Sequence, residues 1–190
     1  MNLTEYTFFP LGTRCSSAGT IYDLGKRKHA YPFDWMDIEL SSILPFLNID
    51  RGEISDYLTA YFLGVNKKTM RSDIDNTWFP HDFGKGYVST KKVIEKYLRR
   101  FNRMHDLFES GKNIAFLTII ARADDNNRAP YIGIQNKLQG IVKGNVAFIS
   151  VNLSDQQLGG DNFTNLVIPI GDSWDTFHDE IKKQIPYNFL

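Results

Sequence analysis

The chain has 190 residues, 42% of them hydrophobic and 14% aromatic, enough to bury one sizeable core and therefore to form a single domain over 1–190. Its 22 Lys and Arg balance 22 Asp and Glu, so it lacks the basic excess of a dedicated nucleic-acid binder, and no window approaches the roughly 18 consecutive apolar residues that cross a bilayer. A lone cysteine closes no intrachain disulfide, and the opening MNLTEYTFFPLG lacks a basic start and a long apolar run, so the expectation is a cytoplasmic protein with neither nucleic acid nor membrane as partner.

In chain order, Tyr6 to Leu11 is short, aromatic and apolar, which suits a buried strand feeding a turn at Pro10-Leu-Gly12. Ser16 to Leu24 then places Ala18, Ile21 and Tyr22 on one helical face, with Gly25 as its stop. Cys15 therefore falls at a strand-to-helix turn. Ile38 to Phe46 and Ile54 to Leu63 are two shorter helices, punctuated by Pro45 and Gly52. The stretch MRSDIDNTWFPHDFGKG, residues 70–86, is polar with aromatic islands and reads as a long loop. Ser89 or Thr90 caps a helix running to Ser110, in which Ile94, Tyr97, Leu98, Phe101, Met104 and Phe108 form an apolar stripe.

Beyond Gly111 the pattern turns to strands. Asn113 to Ala121 and Asn145 to Leu153 are near-continuous apolar runs rich in branched residues, as in strands covered on both faces. Tyr131 to Val142, between them, carries a helical pattern of Ile134, Leu138, Ile141 and Val142, so strand, helix and strand form a right-handed crossover joining a parallel pair. FTNLVIPI, 163–170, and a last helix from Trp174 to Ile185 extend and cover the sheet. The expected fold is α/β, a mostly parallel sheet flanked by helices.

Ligands of such sheets bind beyond the carboxyl ends of strands, which is where Cys15 sits. A thiol at a helix N-terminus feels the positive end of the helix dipole, and Arg14 adds a full charge; both favour the thiolate. Amides near Cys15 to Ser17 could hold an oxyanion, with Arg14 and Ser16 as candidate substrate contacts. The alternative is a cysteine acting as a small buried hydrophobe.

A thiolate enzyme needs a base, and the chain offers His29, His81, His105 and His178. His105 and His178 fall inside helices, and His29 follows the charged GKRK run. His81, enclosed in WFPHDF, is expected to be held rigidly in a partly dry setting and is the first candidate, with a structural histidine as the alternative. Asp34 in YPFDWM is an enclosed carboxylate that either orients an imidazole or caps the following helix. Asp82, adjacent to His81, is the poorer orienter, since neighbours on a strand point apart.

Leu11-Gly12 followed by Cys15, then PFDW at Pro32 to Trp35, HDF at His81 to Phe83, the basic YLRRFNRM helix and NIAFLTIIAR occur in an order that resembles a family of bacterial and viral domains described as papain-like cysteine peptidases. The resemblance covers roughly the first two thirds of the chain. It implies Cys15 as nucleophile, His81 as base, Asp34 in the third position and Arg122 as a substrate-binding cation. It also implies an alternative fold, the papain-like α+β arrangement, in which the histidine sits on an antiparallel sheet.

The expected function is therefore that of a thiol hydrolase, peptidase or acyl-transferase acting on a peptide or other acyl substrate without metal or cofactor. Three rivals differ in class: an esterase resembling the GDSL type, using Asp175 and His178; a nucleotide-sugar enzyme binding a divalent metal through Asp73 and Asp75; and a binding module without turnover. Lys92, Lys96, Arg99 and Arg103 recur at helical spacing, as a solvated face or a surface for an acidic or phosphate-bearing partner. The sequence leaves the oligomeric state open.

Overall fold

The computed structural model describes residues 3–83, 88–120, 128–152, 163–167, 179–180 and 183. Strand β1 (Thr7–Pro10) is followed by helices α1 (Cys15–Asp23), α2 (Leu40–Leu47) and α3 (Ile54–Leu63), a small antiparallel hairpin of β2 (Val65–Asn66) and β3 (Arg71–Ser72), and the short helix α4 (Pro80–Phe83). Helix α5 (Thr90–Glu109), strand β4 (Ile114–Ile120), helix α6 (Arg128–Ile141) and strands β5 (Val146–Asn152) and β6 (Phe163–Val167) complete the order.

The main sheet runs β1-β4-β5-β6, and each neighbouring pair is parallel. Alternation of side chains along each strand sends its two sets of residues to opposite faces. One face carries Phe9, Ile114, Phe116 and Phe148 into a core shared with α2, α3, α5 and α6. The other carries Phe8, Ala115, Leu117, Ile119, Ala147, Ile149 and Val151, packed with Ile21 of α1 and with Leu3. The expected α/β fold is thus what the chain forms. The papain-like α+β alternative is corrected: the main sheet is parallel, and His81 lies on α4 rather than on a strand.

Register makes one row of the first face aromatic. Phe9 pairs with Phe116 and Phe116 with Phe148, and their successive ring centroids are 5.4 Å apart. Phe33 continues the contact away from the sheet, 6.3 Å from Phe9 and 6.3 Å from Phe101 of α5. Offset and edge-on ring pairs at these separations add to the burial each ring already contributes. Phe33 is also the anchor that fixes the chain on either side of it, including Asp34 and Trp35.

Helix α5 is the longest, and it begins where the hydroxyl of Ser89 accepts from the amide of Lys92. Val93, Tyr97, Phe101, Met104, Leu107 and Phe108 are its buried face, joined by one cation, Arg100. The helix expected from Ile38 begins instead at Leu40, because Asp37 and Trp78 exchange backbone hydrogen bonds of 3.0 and 2.8 Å and hold residue 37 extended. The same bridge bears on the second difference: as far as Phe83, the stretch expected as a long loop is built of short elements. Arg71–Ser72 pairs with Val65–Asn66, Asp75 accepts from the amide of Thr77 at 3.1 Å, and Pro80 opens α4. Each of these elements is shorter than the window over which hydrophobic periodicity is detectable. The expected terminal helix from Trp174 lies mostly outside the described residues.

Because Phe116 stands at the centre of the aromatic row, fully buried between Phe9 and Phe148, Phe116→Ala opens a cavity in the core. Equilibrium urea unfolding should show a loss of about 3–5 kcal/mol with an unchanged denaturant slope.

Candidate functional site

Strand β1 ends at Pro10, opposite Leu117 and three residues short of the end of its partner β4. Beyond that point the chain turns through Gly12 and Thr13, both with positive φ, 55° and 51°. Gly12 is required there twice over, by its backbone angle and because a Cβ would lie 2.5 Å from Cδ1 of Ile43. Thr13 is branched at Cβ and pays a steric penalty in this region. It is held there because its hydroxyl donates to the carbonyl of Ile119 at 2.6 Å. The amide of Ile119 in turn donates to Ser17 Oγ at 3.2 Å, and that hydroxyl donates to the carbonyl of Gly12 at 3.2 Å. Side chains of the turn and of α1 thus supply the partners that a longer β1 would have given to β4.

Cys15 is the first residue of α1 and is solvent-exposed, with Arg14 at the N-cap making no side-chain capping bond. It lines a cleft of about 330 Å³ together with Arg14, Trp35, Met36, Asp37, Trp78 and Pro80. Trp35 has φ of 63°, strained for a bulky residue. Its ring lies 5.3 Å from the guanidinium of Arg27 and 5.4 Å from the imidazole of His81. Trp78 is held by its backbone bridge to Asp37 and carries the guanidinium of Arg71 5.6 Å from its ring centroid. Buried next to Cys15, the hydroxyl of Ser16 has no hydrogen-bond partner among the described residues.

The electrostatics of the thiol differ from the expectation. Desolvation by the cleft pushes the Cys15 thiol up; a hydrogen bond with its own backbone pulls it down, Asp37 raises it, and Arg14 lowers it, with a net rise. The resting group is the thiol, so a nucleophilic role requires a base to take its proton.

The three proposed catalytic residues are not joined by hydrogen bonds. His81 is exposed rather than dry, and its ring packs on the edge of Trp35. Asp34 is wholly buried, but its Oδ2 accepts from Nη2 of Arg27 at 2.5 Å and from Nε at 3.2 Å. In place of the expected Asp34–His81 hydrogen bond the structure has this one: a guanidinium offers several donors in a fixed plane, and Arg27, seven residues earlier, gives two of them to the same carboxylate oxygen. Asp34 caps no helix either, since α2 starts at Leu40 with Glu39 at its N-cap. Burial raises the Asp34 carboxyl, opposed first by the hydrogen bond and charge of Arg27 and then by Arg100, whose Nη1 donates to the Asp34 carbonyl at 3.3 Å.

Asp82, next to His81, is likewise buried and engaged. It accepts from the Lys96 ammonium and from the Tyr97 hydroxyl at 2.8 Å, tying α4 to α5. Two members of the basic stripe on α5 are therefore structural, since Lys96 is paired and Arg103 donates to the carbonyl of Ala30 at 3.0 Å. Asp75, one of the carboxylates of the metal reading, accepts from the Tyr61 hydroxyl at 2.7 Å and closes a turn onto Thr77. Among the described residues no group of three or more His, Cys, Asp or Glu is placed to hold a metal ion. Arg122, Asp175 and His178 lie outside the described residues.

Trp35, Met36, Asp37, Trp78 and Pro80 are the cleft residues that the sequence reading did not select. Asp37 and Trp35 stand inside the already conspicuous YPFDWMD, but nothing local signals that Trp78 is bridged to them.

Two solution measurements follow. Asp34 titrates higher in the fold than in the unfolded chain, so the folded state binds more protons and stability falls as pH rises from the ordinary carboxylate range to the raised value. Arg27→Ala removes the opposing cation and should cost about 3 kcal/mol at neutral pH, read by urea unfolding, with part of that loss recovered in mild acid. Asp37→Asn removes the negative charge that raises the Cys15 thiol, so the pH midpoint of Cys15 alkylation by iodoacetamide should move downward.

The sequence matches no family model, and no solved structure matches it. The chain is similar to the uncharacterized protein R408 of Acanthamoeba polyphaga mimivirus, 26% identical over 135 residues that cover 58% of this chain. It spans 60% of that protein's length.

Proposed function

We propose that the protein is a thiol hydrolase or acyl-transferase in which Cys15 attacks the carbonyl of a peptide or other acyl substrate seated between Trp35 and Trp78. The observation that carries this reading is the position of Cys15, first in α1 on a strained turn at the carboxyl end of β1, in the wall of a cleft with aromatic sides and a single arginine. Uncapped amides of the first turn of α1 are suited to the oxyanion, and Arg14 to a carboxylate or carbonyl of the substrate.

As the Sγ–carbon bond forms, the thiol proton passes to a base, and collapse of the tetrahedral intermediate returns it to the leaving group. Water or a second nucleophile then takes the acyl group from sulfur, restoring the thiol. His81 is our choice of base: it is exposed, follows Pro80, which lines the cleft, and packs its ring against Trp35, another lining residue. Asp34 acts at one remove in this scheme, through Arg27 and Trp35, rather than on the imidazole.

A second reading has an observation of its own. The raised thiol and the commitment of Asp34 to Arg27 favour a ligand-binding cleft without turnover.

Incubation with p-nitrophenyl acetate, followed by intact-mass measurement and peptide mapping, separates the two. The acyl-transfer reading expects a transient acetyl group on Cys15, no burst in Cys15→Ala, and acylation slowed by roughly 100-fold in His81→Ala. Acylation no faster than that of a free thiol, and unchanged in His81→Ala, would leave the binding reading in its place.

A further inference from the structure

At the opposite end of β1 from Cys15 the molecule has a second cleft, of about 390 Å³, bounded by Thr7 at the start of the strand and by the end of α5. Its charged lining is one-sided. Lys28, His29, Arg103 and Lys112 face one carboxylate, Asp106, and that carboxylate already accepts from Nη2 of Arg51 at 2.6 Å. Among the described residues Lys28, His29 and Lys112 have no side-chain partner, and the guanidinium of Arg103 is held only through Nη1, by the carbonyl of Ala30.

Gathering three permanent cations and an imidazole around one concavity is electrostatically unfavourable, and the chain as a whole has equal numbers of acidic and basic residues. Attraction to the negative end of α5 is reduced there. Two of the last carbonyls of that helix already have donors outside its own ladder: Leu107 accepts from the Ser110 hydroxyl at 2.7 Å, and Phe108 from the amide of Lys143 at 2.9 Å. Arg103 is instead pre-set by Ala30 at the rim, with donors left over, while Lys28 and Lys112 extend from flanking segments on flexible stems. Tyr31, otherwise buried, and Leu107 give the floor an aromatic and apolar character.

We propose that this cleft binds a small phosphate-bearing molecule, its phosphate held by Arg103, Lys28 and Lys112 and its organic part against Tyr31 and Leu107. A planar guanidinium with free donors and two ammonium groups match the several acceptor oxygens and double charge of a phosphate monoester. The volume suits a small ligand rather than a polymer surface. This site is independent of the acyl-transfer reading, since the two clefts share no lining residue.

The test is titration of the full chain with inorganic phosphate and, separately, phenyl phosphate at constant ionic strength, followed by amide chemical shifts. The expected result is a saturable response centred on residues 28–31 and 110–112, weakened by at least roughly tenfold in Lys28→Ala/Lys112→Ala and unchanged in Lys91→Ala/Lys92→Ala. Both substituted pairs are exposed, so the fold is retained. Tighter binding of phenyl phosphate than of inorganic phosphate is expected; equal affinity would overturn the organic part of the proposal and leave the free ion as the ligand. The proposal is overturned by shifts that fail to saturate below about 10 mM, by a Lys28/Lys112 variant within about twofold of the native chain, or by equal weakening in the Lys91/Lys92 variant.

Discussion

Ser17 and Thr13 meet Ile119 where β1 has ended and β4 continues, and the geometry of the Cys15 site follows from that junction. An unpaired amide and carbonyl at Ile119 would cost more than the strain they cause, so the turn bends until two hydroxyls reach them. The bend requires positive φ at Gly12 and Thr13, brings Ser17 onto the Gly12 carbonyl, and starts α1 at Cys15. Without the junction α1 would have no fixed origin, and the thiol no fixed direction.

A second set of interactions holds the other wall of the cleft. Phe33 is fixed in the aromatic core, Asp34 behind it is neutralised by Arg27, and Trp35 is carried outward in a strained conformation with Arg27 and His81 against its ring. Burying a carboxylate is costly, and here the cost is offset by a cation that also touches the half-buried Trp35. The PFDW segment therefore links core to cleft through successive residues: Phe33 and Asp34 are buried, and Trp35 forms the wall. Arg100 and Arg103 clamp the same segment from α5, through the carbonyls of Asp34 and Ala30. One stretch, residues 30–37, thereby joins the cleft around Cys15 to the basic cleft at the far end of β1.

Much of the fold was legible before the structure, for reasons that can be stated element by element. The runs at Ile114–Ile120 and Val146–Asn152 are apolar on both faces, which only a covered parallel strand tolerates, and α5 has a stripe long enough to be unambiguous. Residues 65–83 were not legible in the same way, because a two-residue hairpin, a side-chain-closed turn and a single-turn helix carry no periodicity. For the site, the placement of Cys15 could be read from a short strand, a glycine and a helix. The partners of Asp34 could not, since a buried carboxylate specifies that it needs a donor but not which of several cations provides it.

The sequence by itself determined the α/β architecture and put its one thiol at the start of a helix beyond a strand, because local pattern and turn chemistry are encoded within a few residues of each other. Tertiary structure alone decided the company that thiol keeps. Trp78 is opposite Asp37 through a two-residue bridge, Arg27 rather than His81 answers Asp34, and desolvation together with Asp37 outweighs Arg14 at the sulfur. These are matters of distance and of exclusion of water between segments far apart in the chain, and Coulomb energies depend on both.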